Sequence, residues 1–321
     1  MSQVVMVALD GSPFAEQALP LALAAAQSAD VALDLAIVRG ALPLDGEHEE
    51  AYLESLARLI ASAPPVRLTR SVLSTEPENR EYPPQKPGTV AEVLMQHAER
   101  INCNLTIMTT HGLGGISRAW LGSVTDSLIS IASCPVLVVR PHDEKFSTAL
   151  IADRGIGHIV VALDGSEPAE QALIHARQLG GSFGARYTLV RVASPIVMHG
   201  AVGPYEPTAV PAPALSRDAI QEYLDRVATG LRQYDLTVAT AVLDGTSPAS
   251  AVVAYARSQA ADLIALTTSG VGGIGRFLLG SVADTVIRSG DTPVLVCNTR
   301  HMRGPGSTVA AASAAGAVMP R

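Results

Sequence analysis

The stretch from Ala8 to Leu19 reads ALDGSPFAEQAL, and the stretch from Ala162 to Leu173 reads ALDGSEPAEQAL. A second pair follows: HGLGGISRAWLGSVTDSLI from His111 to Ile129 and SGVGGIGRFLLGSVADTVI from Ser269 to Ile287. The first pair is offset by 154 positions (8 to 162) and the second by 158 (111 to 269). Two blocks that recur in the same order at a nearly constant offset mark a duplicated domain, and the fold has to be read from one repeat at a time.

Working outward from the first block, each repeat alternates apolar β-branched runs with amphipathic ones. In the first, Val4 to Leu9, Val31 to Val38, Val66 to Leu73, Leu105 to Thr109 and Pro135 to Val139 read as strands. Pro13 to Ala29, Glu47 to Ser62, Gly88 to Arg100 and Ser123 to Ser133 read as helices, the first with Ser12 as N-cap and Pro13 at the first helical position. The second repeat follows suit, with strands near Ile159 to Leu163, Tyr187 to Val192, Thr237 to Leu243, Leu263 to Thr267 and Val294 to Cys297. Its helices cover Pro168 to Gly180, Ala214 to Gln233, Pro248 to Gln259 and Val282 to Arg288. Strict β/α alternation predicts an α/β fold: two tandem doubly wound, Rossmann-like domains, each a five-stranded parallel sheet with helices on both faces. The expected boundaries are 1–142 for the first domain, 143–156 for a linker, 157–299 for the second domain and 300–321 for a disordered, low-complexity tail.

Composition narrows the class. The 321 residues divide into two ordinary domain lengths, and 48% hydrophobic with only 4% aromatic implies a core of Ala, Val, Leu and Ile. A net charge of −7, without any run of Lys or Arg, argues against a nucleic-acid partner. The three cysteines, Cys103, Cys134 and Cys297, lie in apolar surroundings without CxxC spacing, which reads as buried thiols in a reducing compartment. Met1 leads directly into a strand with no signal-like region, and the apolar stretch Ala18 to Ala26 is too short to span a bilayer. A cytoplasmic protein with no membrane partner is expected.

Two constellations carry chemistry. In the first repeat, strand four ends at Thr109 and runs into a loop with Gly112 and Gly114; nine residues after Gly112 come Gly122, Ser123 and Val124 at a helix start. The second repeat has Thr267, Gly270, Gly272, the same nine-residue gap, then Gly280, Ser281 and Val282. Glycines let backbone N–H groups approach an anion, and a helix N-terminus favours negative charge. The competing reading is that the glycines only turn the chain, with Ser123 and Ser281 as ordinary N-caps. The second constellation is a carboxylate at the tip of strand one, Asp10 and Asp164, placed to hydrogen-bond ribose hydroxyls or hold a divalent ion near phosphates. Its competing role is to cap the following helix.

At these residues the chain resembles the universal stress protein family, in its tandem two-domain form. The family pattern is a glycine, two residues, a glycine, nine residues, then Gly-Ser or Gly-Thr; Gly112 and Gly270 match the second glycine, and Gly122-Ser123 and Gly280-Ser281 the closing pair. The first glycine is replaced by Thr109 and Thr267, and Ser269 stands where the first repeat has His111. The resemblance implies an adenine nucleotide α-hydrolase-like fold that binds ATP, with or without Mg2+. It implies that the glycine loop and Gly-Ser pair hold phosphates, while Asp10 and Asp164, with Val38 and Val192 at the end of strand two, flank ribose and adenine. It also implies that the last strands, Pro135 to Val139 and Pro293 to Val296, meet edge to edge as an internal pseudo-dimer; a homodimer of two chains is a further option that the sequence does not decide.

No nucleophile–base signature or metal-ligand spacing among the eight histidines is visible, so at most slow ATP hydrolysis is expected, with Arg118 and Arg276 the nearest cations to the loops. Three functions compete: an ATP-binding stress-response regulator or sensor acting on an unknown protein partner, a scaffold that keeps the fold without the ligand, and a slow ATPase. The intact Gly-Ser pairs favour the first.

Overall fold

The computed structural model describes residues 3–39, 47–61, 66–76, 88–110, 121–141, 155–193, 216–268 and 279–299. Residues 143–154 of the expected linker and the expected tail, 300–321, lie outside the described residues. The first repeat comprises β1 (Val4–Leu9), a 3-10 turn (Ala15–Ala18), α1 (Leu19–Ser28), β2 (Ala32–Val38), α2 (Glu47–Ile60), β3 (Leu68–Leu73), α3 (Val90–Arg100), β4 (Cys103–Thr109), α4 (Ser123–Ile131) and β5 (Val136–Val139). The second comprises β6 (His158–Ala162), α5 (Glu167–Gly181), β7 (Arg186–Ala193), α6 (Arg217–Arg232), β8 (Val238–Asp244), α7 (Pro248–Ser258), β9 (Leu263–Thr267), α8 (Ser281–Ser289) and β10 (Val294–Cys297).

All ten strands form one sheet in the order β3-β2-β1-β4-β5-β10-β9-β6-β7-β8. Each repeat contributes five parallel strands, and the two sets join through one antiparallel pair, with Val136, Leu137 and Val138 of β5 opposite Val296, Leu295 and Val294 of β10. The expected edge-to-edge meeting of the last strands is therefore present. An apolar edge such as Val136 to Val139 is a template for pairing, and here each repeat covers the other's.

The sheet carries a core on both faces, as its near-continuous Val, Leu and Ile runs require. One face packs Leu33, Leu35 and Ile37 with α1 and α2, and Leu189 with α5 and α6. The other packs Ala36 and Val38 with α3 and α4, and Val190 with α7 and α8. In both repeats the first two helices lie on one face and the last two on the other, so the sheet is doubly wound.

The first helix departs from expectation. The sequence predicts one helix over Pro13 to Ala29, whereas the chain makes a 3-10 turn and then α1 from Leu19. Pro20 is the reason: it has no N–H for the Glu16 carbonyl, which takes the Leu19 amide in 3-10 fashion instead. The second repeat has Ile174 at the corresponding position, and α5 runs unbroken from Glu167 with Ser166 as its N-cap.

Candidate functional site

The strand order reverses at β1/β4 and again at β6/β9, where neighbouring strands send their connections to opposite faces of the sheet. Such switch points open a crevice beyond the carboxyl ends of the strands, where open α/β sheets take ligands. The residues singled out from the sequence gather around these two crevices, except that Gly112, Gly114, Gly270 and Gly272, with His111, Ser269, Arg118 and Arg276, lie outside the described residues.

Asp10 and Asp164 follow β1 and β6 directly. In each repeat one carboxylate oxygen does the same two tasks: Oδ1 of Asp10 accepts from the Ser12 amide at 2.9 Å and hydroxyl at 2.6 Å, and Oδ1 of Asp164 accepts from Ser166 at the same 2.9 and 2.6 Å. Ser12 and Ser166 in turn accept from the amides of Ala15 and Ala169, at 3.1 and 3.3 Å. Ser166 thus caps α5, whereas Ser12, the expected N-cap, is not one, since the 3-10 turn has Phe14 in that place; in both repeats the aspartate holds the serine. Gly11 and Gly165, between them, have φ of +80° and +89°, which only glycine adopts without strain.

Thr109 and Thr267 close β4 and β9, paired in register with Val139 and Cys297. The position where the family pattern has its first glycine is therefore strand backbone, which suits a β-branched residue. The next residues, Thr110 and Thr268, are buried; their carbonyls accept from the amides of Gly122 and Gly280 at 2.8 and 2.7 Å. Gly122 and Gly280 are the N-caps of α4 and α8, with φ −58° and ψ 143° in both. Ser123 and Ser281 are thus the first residues of their helices and not N-caps. The closing glycines do more than admit a ligand: a Cβ at Gly122 would lie 3.0 Å from the Thr110 oxygen, and one at Gly280 only 2.8 Å from that of Thr268. The glycine amides are committed to those carbonyls, so the donors that face outward are the next amides, of Ser123 and Val124 and of Ser281 and Val282. Helix geometry leaves these first-turn N–H groups without intrahelical partners. Ser123 and Ser281 are exposed, as is Val282, while Val124 is half-buried.

Val38 is buried on the α3/α4 face at the end of β2, and Val192 occupies the matching place on β7, half-buried. On the opposite face of the sheet lie residues that the sequence reading missed. Tyr52 donates to Glu16 at 3.1 Å, and burial first, then the Glu16 charge, holds the phenol well above its ordinary value. Burial also raises the Glu16 carboxyl, against the lowering effect of the Tyr52 hydrogen bond. The second repeat has Tyr223 and Glu170 in these places, and adds Arg191 and Arg226 around the Tyr223 ring. A signal was available, since Glu16 and Glu170 belong to the first repeated block.

A duplicated doubly wound unit, with a strand-one carboxylate and a glycine-capped helix start at each switch point, defines a tandem Rossmann-like α/β class. The universal stress protein family model matches residues 1–140 and 155–298, and the chain belongs to that family. A universal stress protein of Methanocaldococcus jannaschii is 35% identical over 140 residues, covering 43% of this chain and 79% of the relative. One of Mycobacterium tuberculosis is 28% identical over 197 residues, 60% of this chain, and the match spans 61% of the relative's length. The crystal structure of a universal stress protein from Archaeoglobus fulgidus superposes with a TM-score of 0.58 at 19% identity, covering 92% of this chain and 98% of that one, a likeness of fold. Among the described residues no helix is long and apolar enough to cross a membrane.

Proposed function

We propose that each repeat binds an adenine nucleotide, ATP with or without Mg2+, and that occupancy of the two sites sets the conformation this chain presents to a protein partner in a stress response. The observation that carries this reading is the identity of the two helix starts. Gly122 and Gly280 share φ −58° and ψ 143°, and each opens a helix whose first-turn amides have no intrahelical partner. Amides at a helix N-terminus suit the polyphosphate, and a carboxylate at the end of strand one suits ribose hydroxyls or a divalent ion. When bound, the nucleotide supplies a polyanion and a purine. The chain's part is to hold the first with Ser123, Val124, Ser281 and Val282 and to orient the second with Asp10, Val38, Asp164 and Val192.

Calorimetric titration of the intact chain with ATP and Mg2+ tests the reading. Two nucleotides per chain are expected, falling to one in Asp10→Ala and in Asp164→Ala. No binding by the unaltered chain, together with no nucleotide released when the purified protein is denatured, overturns it.

A further inference from the structure

The two crevices differ at one strand end. β1 pairs Leu9 with Ile37, and β6 pairs Ala162 with Val190, which brings Leu163, the counterpart of Leu9, level with Arg191. A fully buried isoleucine in the first repeat is thus an arginine in the second, the one charge between Tyr187 and Ala193. A guanidinium is costly to place at a half-buried position of an apolar strand unless something uses it.

Its surroundings show what could. On one side Arg191 lies flat against the strand-one tip, so close that a Cβ on Gly165 would overlap the guanidinium. On the other, its Cζ stands 5.2 Å from the centroid of the Tyr223 ring, which Arg226 approaches to 5.5 Å. Among the described residues neither arginine has a hydrogen-bond or ion-pair partner. Tyr223 is 7% exposed. Burial, then the charge of Glu170 and its hydrogen bond with the phenol, keeps the proton on Tyr223. In the first repeat Tyr52 likewise donates to Glu16, at 3.1 Å, but Ile37 stands where Arg191 does and offers no donor. Two guanidinium groups at one ring, with no partner among the described residues, describe a place for an anion.

That anion is not the one at the start of α8. β7 and β9 are separated by β6, which puts their ends about 10 Å apart at ordinary strand spacing. Asp164, at the end of β6, lies between them. An anion at Arg191 is therefore on the far side of the strand-tip carboxylate from the helix start, on the ribose side of a nucleotide laid across the crevice. An arginine beside that carboxylate is the arrangement that accommodates a phosphate on the ribose in doubly wound folds.

We propose that the second repeat takes an adenine nucleotide phosphorylated on its ribose, the ribose phosphate being held by Arg191 with Arg226, whereas the first repeat takes the unphosphorylated ribose. The inference rests on the reading of both crevices as nucleotide sites. The test is calorimetric titration of the intact chain with ADP and with its 2′- and 3′-phosphorylated forms. One site per chain is expected to bind a ribose-phosphorylated form about tenfold to a hundredfold more tightly than ADP, the range of a hydrogen bond to a charged group. Arg191→Ile, which installs the residue of the first repeat, abolishes that preference, so that the ribose-phosphorylated forms bind no more tightly than ADP. Arg191→Lys keeps the charge without the planar fork and recovers part of it. Binding of ADP at both sites with no preference, or a preference that survives in Arg191→Ile, sinks this inference and leaves the nucleotide reading intact. Binding of neither ligand sinks both.

Discussion

The side-chain amide of Asn298 donates to the carbonyl of Ser130 at 3.0 Å, across a sequence separation of 168 residues and from one repeat to the other. It also reaches the Ile129 carbonyl at 3.3 Å. The relationship is reciprocal. Arg140, which follows β5 as Asn298 follows β10, donates to the carbonyls of Arg288 and Gly290 at the end of α8. With the 158-residue offset, Ser130 and Arg288 are the same position. Each repeat therefore satisfies the orphan carbonyls at the other's last helix, immediately beside the antiparallel strand pair.

This exchange should hold the halves together measurably. Asn298→Ala is expected to cost about 1 kcal/mol, and Arg140→Ala, which loses a charged donor, about 2 kcal/mol. The losses should add within about 0.5 kcal/mol, since the two caps touch different helices. Urea unfolding reads this directly. Unchanged midpoints in both single variants would show that the strand pair alone carries the junction.

A second polar cluster is confined to the first repeat. Asp34 in β2 is 1% exposed and accepts from Thr69 at 2.6 Å, Ser71 at 3.0 Å and His97 Nε2 at 2.9 Å. Arg100 lies 2.9 Å from the other ring nitrogen of His97, and since arginine can only donate, the imidazole proton is seated on Nε2, facing Asp34. Burial works to raise the Asp34 carboxyl, but the hydrogen bonds from His97, Thr69 and Ser71 help to outweigh it and hold the group below its ordinary value. A depressed carboxylate contributes stability that is complete above the unfolded-state value of about 4 and is lost as pH falls through the lower folded value. Asp34→Asn is expected to cost about 3 kcal/mol at neutral pH and to flatten the acid limb of a plot of stability against pH. An acid limb as steep as that of the unaltered chain would remove Asp34 as its source.

The closing glycines give a graded pair. Alanine at 280 would put a Cβ 2.8 Å from the Thr268 carbonyl, a distance that forces the backbone to move, and alanine at 122 one 3.0 Å from that of Thr110. Gly280→Ala is expected to lose about 2 kcal/mol, the usual scale of an overpacked contact, and Gly122→Ala less. Each should weaken nucleotide binding at its own helix start only. Equal losses would show that the carbonyl approach does not set the cost.

Legibility followed physical range. The repeat and the β/α alternation could be read because they rest on periodic apolar runs and on two copies that corroborate each other; the pairing of the last strands followed from the family resemblance. Pro20 was equally visible, but the apolar run around it outweighed a single missing N–H. The role of Gly122 was hidden, because it depends on a carbonyl, that of Thr110, brought back by the chain from twelve residues earlier. Arg191 was a lone charge in an apolar strand, and its meaning appeared only when strand register set it against Ile37. Pattern reports local conformation and burial well; which groups meet across a crevice is a tertiary fact.

The same comparison of copies finds a residue poorly matched to its backbone. After α3, Asn102 adopts φ +56°, and after α7 the equivalent residue, Ala260, adopts φ +46°. Both reverse the chain from helix into strand, with the amide of Asn102 on the Glu99 carbonyl at 3.2 Å and that of Ala260 on the Arg257 carbonyl at 3.1 Å. Asparagine tolerates the left-handed region, whereas alanine carries a Cβ crowded against the following carbonyl, at roughly 1–2 kcal/mol. Ala260→Gly removes that Cβ but loosens the unfolded chain, so the net gain should be about 0.5 kcal/mol or somewhat more. Ala260→Asn, copying the first repeat, should gain about as much. A rise in the urea midpoint for both variants, with the slope unchanged, is the expected result. A fall for both would mean that the turn at Ala260 is held by contacts of its methyl group and that the left-handed conformation carries no net strain there.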